Sequence, residues 1–187
     1  MKDLLTPDYM FGHYYEVTPA FLQGIGVRAL LIDIDNTLAP YEQPQPDEQI
    51  ERWFCSLRES GIVAALVSNN HAPRVDEFNR TLGLLAYPDS HKPCRKTPLR
   101  AMRELGVTEA ETAVLGDQLL TDVLTGKRMG LRAIAVPPIK DKTNFFFRFK
   151  RLCERPFVRR YAKRHGCQSW MSFWRVCQPK ARKEKNV

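Results

Sequence analysis

The chain has 187 residues, enough for one buried core plus an appendage. It contains no run of eighteen apolar residues and no basic-then-apolar leader, which argues against a membrane-spanning or exported protein and sets a cytosolic expectation. The net charge of +8 is unevenly spread: residues 138–187 hold 15 Lys/Arg against 3 Asp/Glu, hence +12, which leaves −4 for residues 1–137. The expected division is therefore a core over 1–137 and a basic extension over 138–187. Five cysteines, an odd number without a Cys-x-x-Cys pair, are read as reduced thiols and not as a zinc site.

In chain order, an aromatic lead-in (Tyr9, Phe11, Tyr14, Tyr15, Phe21) lacks strict alternation and is expected to pack on the core. Thr18-Pro19 starts a short helix that Gly24 and Gly26 end. Leu30 to Thr37 then reads as a buried strand that ends in two carboxylates, Asp33 and Asp35, separated by one residue. Leu38 to Pro46, with three prolines, is a loop or flap, and Asp47 caps a helix reaching Ser60 that buries Ile50, Trp53, Phe54 and Leu57. Ile62 to Val67 is a second apolar strand running into Ser68-Asn69-Asn70, and His71 to Leu82 is a helix.

Leu84 to Ala86 is a short strand, Lys92-Pro93 lies in a loop, and Thr97-Pro98 opens a helix through Leu105. Thr112 to Leu115 leads into Gly116-Asp117-Gln118-Leu119-Leu120-Thr121-Asp122, followed by a helix to Met129 and a strand over Leu131 to Val136. Strands alternating with short helices predict an α/β fold, a parallel sheet covered by helices on both faces.

In such sheets ligands bind beyond the strand C-termini. That rule converges Asp33, Asp35, Ser68, Asn69, Asp117 and Asp122 on one edge. Acids from two strands can hold a hard, oxygen-preferring cation such as Mg²⁺. Ser68 and nearby N–H groups can take phosphoryl oxygens, and Lys92 adds positive charge. The set describes phosphoryl-transfer chemistry. Cys94 to Arg100 has the Cys-x5-Arg spacing of cysteine phosphatases, but Pro98 removes a backbone donor and Leu99 adds bulk where a phosphate cradle needs neither.

Four motifs occur in the order of the haloacid dehalogenase (HAD) superfamily: Asp-x-Asp-x-Thr at Asp33 to Thr37, Ser68, Lys92, and Gly-Asp-x-x-x-x-Asp at Gly116 to Asp122. More narrowly, Asp-Asn-Thr-Leu, Val-Ser-Asn-Asn and Gly-Asp-Gln-Leu-Leu-Thr-Asp-Val resemble the bacterial YqeG family of HAD subclass IIIA, from about Leu5 to Gly166. The resemblance implies a Rossmann-like core. It implies Asp33 as nucleophile, Asp35 as acid and base, and Mg²⁺ held by Asp33, the Asp35 carbonyl and Asp117, with Asp122 as a ligand or as support for one. Ser68, Asn69 and Lys92 would bind the phosphoryl group.

About 30 residues separate Asp35 from Ser68 and about 22 separate Ser68 from Lys92, too few for the cap domains that HAD enzymes insert there. A capless, open site suits a phosphate on something large. In the basic extension Phe145, Phe149, Leu152 and Cys153 share a helical face, Pro156 restarts a helix carrying Phe157, Val158 and Tyr161, and Arg159, Arg160, Lys163 and Arg164 lie close by. That pattern suits either peripheral contact with an anionic membrane or packing on the core with a solvated basic face. It carries no nucleic-acid motif. Lys180 to Val187 reads as a disordered tail.

The resemblance points to phosphatidylglycerophosphate as substrate. A soluble phosphatase for nucleotides, sugars or phosphoproteins, and a non-catalytic partner- or RNA-binding HAD fold, are the alternatives.

Overall fold

The structure, a computed structural model, describes residues 3–140 and 145–165, without the side chains of residues 145–148, 150 and 151. Six parallel strands form one sheet: β1 (Tyr9–Met10), β2 (Ala29–Ile32), β3 (Val63–Val67), β4 (Leu85–Tyr87), β5 (Thr112–Gly116) and β6 (Arg132–Ala135), in the order β1-β6-β5-β2-β3-β4. Every residue of β2 and β5 is buried, as expected of central strands covered on both faces. The helices between them are α1 (Pro19–Gly24), α2 (Glu48–Glu59), α3 (Ala72–Asn79), α4 (Lys96–Leu105) and α5 (Leu124–Met129).

Local chemistry sets the helix ends. Thr18 Oγ1 accepts the Phe21 N–H at 3.2 Å and Asp47 Oδ1 accepts the Ile50 N–H at 2.9 Å, so both helices begin on the predicted caps. Gly106 and Gly130 close α4 and α5 in the left-handed conformation, with φ of 66° and 77°. The third helix is shorter than its apolar pattern suggests. Asn79 donates to the Leu84 carbonyl at 2.8 Å and accepts the Leu84 N–H at 3.0 Å, so its side chain takes over the backbone groups that would start the next strand.

The lead-in packs as expected: Tyr14, Val17 and Leu22 belong to the core cluster, and Trp53 Nε1 donates to the Val17 carbonyl at 3.0 Å. It also supplies a strand that two residues of sequence could not announce. Tyr9 and Met10 pair with Ile134 and Ala135, and Asp8 Oδ2 accepts the Ala133 N–H at 2.8 Å.

The chain divides into two compact units, Met1–Lys140 and Asp141–Val187. Within the second, α6 (Phe145–His165) continues unbroken past Pro156, which corrects the expectation that this proline restarts a helix. Phe149, Leu152, Cys153, Arg159, Arg160, Lys163 and Arg164 are exposed along α6, whereas Glu154, Val158 and Tyr161 are buried. The predicted tail over 180–187 lies outside the described residues. No described helix is long and apolar enough to cross a membrane.

Candidate active site

The strand order reverses beside β2: β3 and β4 lie on one side of it and β5 and β6 on the other, which places a switch point between β2 and β5. Ile32 is level with both Leu66 and Leu115, so the residues just past these strands meet at one edge. Asp33 follows β2, Ser68 follows β3, and Asp117 follows β5. All three are buried.

Asp122 joins them by a different route. Leu119–Val123 forms one π-helical turn, and Asp122 Oδ2 accepts the Gln118 N–H at 3.2 Å and the Thr121 hydroxyl at 3.3 Å. Such turns concentrate at functional sites. The fold there needs Gly116, because a Cβ at that position would sit 2.3 Å from Asp122 Cγ and 2.5 Å from Asp122 Oδ2. Carboxylate oxygens of Asp33, Asp117 and Asp122 consequently lie within 4.8 Å of one another.

Lys92 binds this acidic group into one network. Its Nζ donates to Asp33 Oδ1 and to Asp122 Oδ1, both at 2.7 Å, and to the Val67 carbonyl at 2.6 Å, so all three ammonium protons have partners. Burial alone works to lower the ammonium pKa, but Asp122 and Asp33 more than offset it and Lys92 remains charged. Burial pushes the Asp33 carboxyl up to about 8; Lys92 opposes that rise, while Asp122 and Asp117 add to it. With all three acids ionised, the one ammonium would leave two negative charges in a buried site. A divalent, oxygen-preferring cation is the chemistry that fits this donor set.

Two neighbouring residues serve the network in ways the sequence did not disclose. Asn69 Nδ2 donates to the Lys92 carbonyl at 3.1 Å, while its Oδ1 accepts from Ser90 Oγ at 2.8 Å and from the Lys92 N–H at 2.6 Å. Its side chain therefore holds the Lys92 loop. Ser68 Oγ accepts the Asn70 N–H at 3.1 Å.

Asp35 lies apart from the three-acid group. Its Oδ2 accepts from Asn70 Nδ2 at 2.9 Å and its Oδ1 from Arg74 Nε at 3.2 Å, so the carboxylate is turned toward the start of α3. Asn36 (φ 65°) accepts the Ile139 N–H on its carbonyl, and its own N–H donates to Ala39, which shapes the corner after β2. Neither Asn70 nor Arg74 was marked by sequence reasoning. A basic residue in the first turn of a helix, against the helix dipole, was the available signal.

The Cys94 to Arg100 spacing builds no phosphate cradle. Residues from Lys96 onward are helical, and Arg100 pairs with Glu104 at 2.7 Å over the Tyr87 ring.

A family model described as HAD-hydrolase-like matches residues 90–138. The probable phosphatase YqeG of Bacillus subtilis (strain 168) is 35% identical over 170 residues, covering 91% of this chain and 98% of that protein. Among solved structures, the cobalt-bound deoxy-D-mannose-octulosonate 8-phosphate phosphatase of Haemophilus influenzae aligns with a TM-score of 0.50 at 13% identity, over 79% of this chain and 96% of that one. A Vibrio cholerae protein assigned as 3-deoxy-D-manno-octulosonate 8-phosphate phosphatase aligns with a TM-score of 0.50 at 18% identity, over 62% and 70%. At these identities the two structures speak to the fold alone.

Proposed function

Because the chain belongs to the YqeG family of HAD-type phosphatases, we propose that it is a Mg²⁺-dependent phosphomonoesterase whose nucleophile is Asp33 and whose substrate is phosphatidylglycerophosphate. The observation that carries the catalytic part is the buried cluster of Asp33, Asp117 and Asp122 with Lys92 bridging two of them.

Asp33 attacks phosphorus in line with the departing alcohol. The Asp33 Oδ–P bond forms, the P–O bond to the alcohol breaks, and the electron pair leaves with the alcohol oxygen, which takes a proton from Asp35. Asp35, now a carboxylate, removes a proton from water as the water oxygen bonds to phosphorus, the Asp33 Oδ–P bond breaks with its electron pair returning to the Asp33 carboxylate, and inorganic phosphate departs. The Lys92 charge would offset that of the phosphoryl group and the Ser68 hydroxyl would donate to one of its oxygens, while Asn69 keeps the Lys92 loop in place. Asp33, Asp117 and Asp122, with the Asp35 carbonyl, would hold the metal. When bound, Mg²⁺ screens the repulsion between an anionic nucleophile and an anionic phosphate.

The lipid part rests on the exposed side of α6 and on the absence of room for an inserted cap. Phe149 and Leu152 are 56% and 55% exposed, unusually open for residues of that size, and Arg159, Arg160, Lys163 and Arg164 continue the same helix. Each basic residue near an anionic surface contributes about 1 kcal/mol. Residues 138–187 would thus act as a peripheral membrane module.

Phosphate release from phosphatidylglycerophosphate in anionic vesicles, with and without Mg²⁺, tests both parts, using the natural chain and Asp33→Asn. Mg²⁺-dependent release that Asp33→Asn abolishes is the expected result. Turnover of an aryl phosphate without any release from vesicles would remove the lipid and keep the chemistry.

A further inference from the structure

The surroundings of Arg74 are hard to explain by stability. It stands in the first turn of α3, which contains no acidic residue, so its charge opposes the helix dipole. The side chain is only 13% exposed, and its Nη2 is buried without a hydrogen-bond partner. What the guanidinium does reach is specific. Nε donates to Asp35 Oδ1 at 3.2 Å, Nη1 donates to the Pro44 carbonyl at 3.1 Å, and Cζ lies 5.1 Å from the Phe78 ring centre.

Asp35 is thereby gripped at both oxygens, by Arg74 on one and by Asn70 on the other. The same guanidinium holds the proline-rich loop after β2, which is tied to α3 a second time where Gln45 Nε2 donates to Glu77 Oε1 at 2.7 Å. A carboxylate that must deliver a proton to a leaving oxygen needs a fixed direction.

We infer that Arg74 is a positioning residue: it fixes the orientation of the Asp35 carboxylate and links it to the loop around Pro44, so that proton delivery to the leaving alcohol depends on this contact. Asn70 completes the grip. The inference rests on the reading of Asp35 as acid and base. The step it governs is the transfer of the Asp35 proton to the alcohol oxygen as the P–O bond breaks.

The test is kcat/KM for a series of aryl phosphates of rising leaving-group basicity, from 4-nitrophenyl to phenyl phosphate, at saturating Mg²⁺. This parameter reports the step in which the alcohol departs. A good leaving group needs little protonation and a poor one needs much, so Arg74→Met should lose activity increasingly along the series, with a loss of about 100-fold at the phenyl end, the low end of what proton delivery contributes. Arg74→Lys should recover part of that loss, and Asn70→Ala should show the same slope more weakly.

Asp35→Asn provides the reference. A steeper dependence in Asp35→Asn but a uniform or absent loss in the Arg74 variants overturns the role of Arg74 and leaves the mechanism standing. An unchanged slope in Asp35→Asn overturns the mechanism itself. Should Arg74→Met not fold, Arg74→Lys and Asn70→Ala decide by the same criterion: a uniform loss refutes, and a graded loss supports.

Discussion

Replacing Gly116 with alanine probes whether the acidic cluster depends on close backbone approach. The new Cβ would stand 2.3 Å from Asp122 Cγ and 2.5 Å from Asp122 Cβ, and no rotamer change can move the latter. Restoring an ordinary contact of 3.4 Å to that Cβ needs a shift of 3.4 − 2.5, about 0.9 Å. That is more than the 2.7 Å bond between Lys92 and Asp122 can absorb and remain a hydrogen bond. Overpacking of this kind costs about 1–3 kcal/mol. At about 2–4 °C per kcal/mol for a chain of this size, the melting temperature should fall by roughly 2–12 °C.

Activity should fall further than stability. A misplacement of about 1 Å at a reacting centre can lower kcat about 100-fold. Gly126→Ala is the control: its Cβ would lie 2.5 Å from Val114 Cγ2, a methyl group in the core, so stability should drop while kcat per folded molecule holds. Calorimetry and aryl phosphate turnover at saturating Mg²⁺ read both quantities. An undiminished kcat in Gly116→Ala, or equal activity losses in the two variants, would refute the reasoning.

Lys92→Met should lower stability by about 3–5 kcal/mol in Mg²⁺-free buffer, because it strands two buried carboxylates, and added Mg²⁺ should recover part of the loss; a melting point insensitive to the cation argues against a shared site. Asp33 carries a raised pKa of about 8, so metal-free folding takes up a proton and becomes less favourable as pH rises from 3.8 toward 8. Mg²⁺ must displace that proton, and its stabilising effect, read by thermal melts, should therefore grow as pH rises toward about 8 and level off above it; parallel melting curves with and without the ion would contradict this. Glu111 is held below the ordinary carboxyl value of 4.5 by the Thr108 hydroxyl, then by the Thr108 N–H and by Arg28, so its contribution is present above that value and disappears as pH falls through its folded pKa. The melting difference between the natural chain and Glu111→Gln should close accordingly in acid, and a constant difference would rule a stabilising role of these contacts out.

The alternation of apolar runs with capped helices determined the parallel sheet, because buried central strands must be apolar on both faces and each return crossing needs a helix. The same logic delivered Asp33, Ser68 and Asp117 to one edge, since a residue immediately past a strand has little choice of direction. Longer connections escape that logic. β1 exists because Asp8, Tyr9 and Met10 find partners in β6, more than a hundred residues away. The unbroken course of α6 past Pro156 is likewise invisible to local propensity, which places prolines at helix starts. The turn of Asp35 toward Arg74 and Asn70, the return of Asp122 through a π-helical turn over Gly116, and the use of Asn69 to hold the Lys92 loop are side-chain matters. Sequence fixes which groups can reach a site. Which of them face the reacting centre and which hold the others in place is decided by packing, where a shift of one ångström separates a hydrogen bond from none.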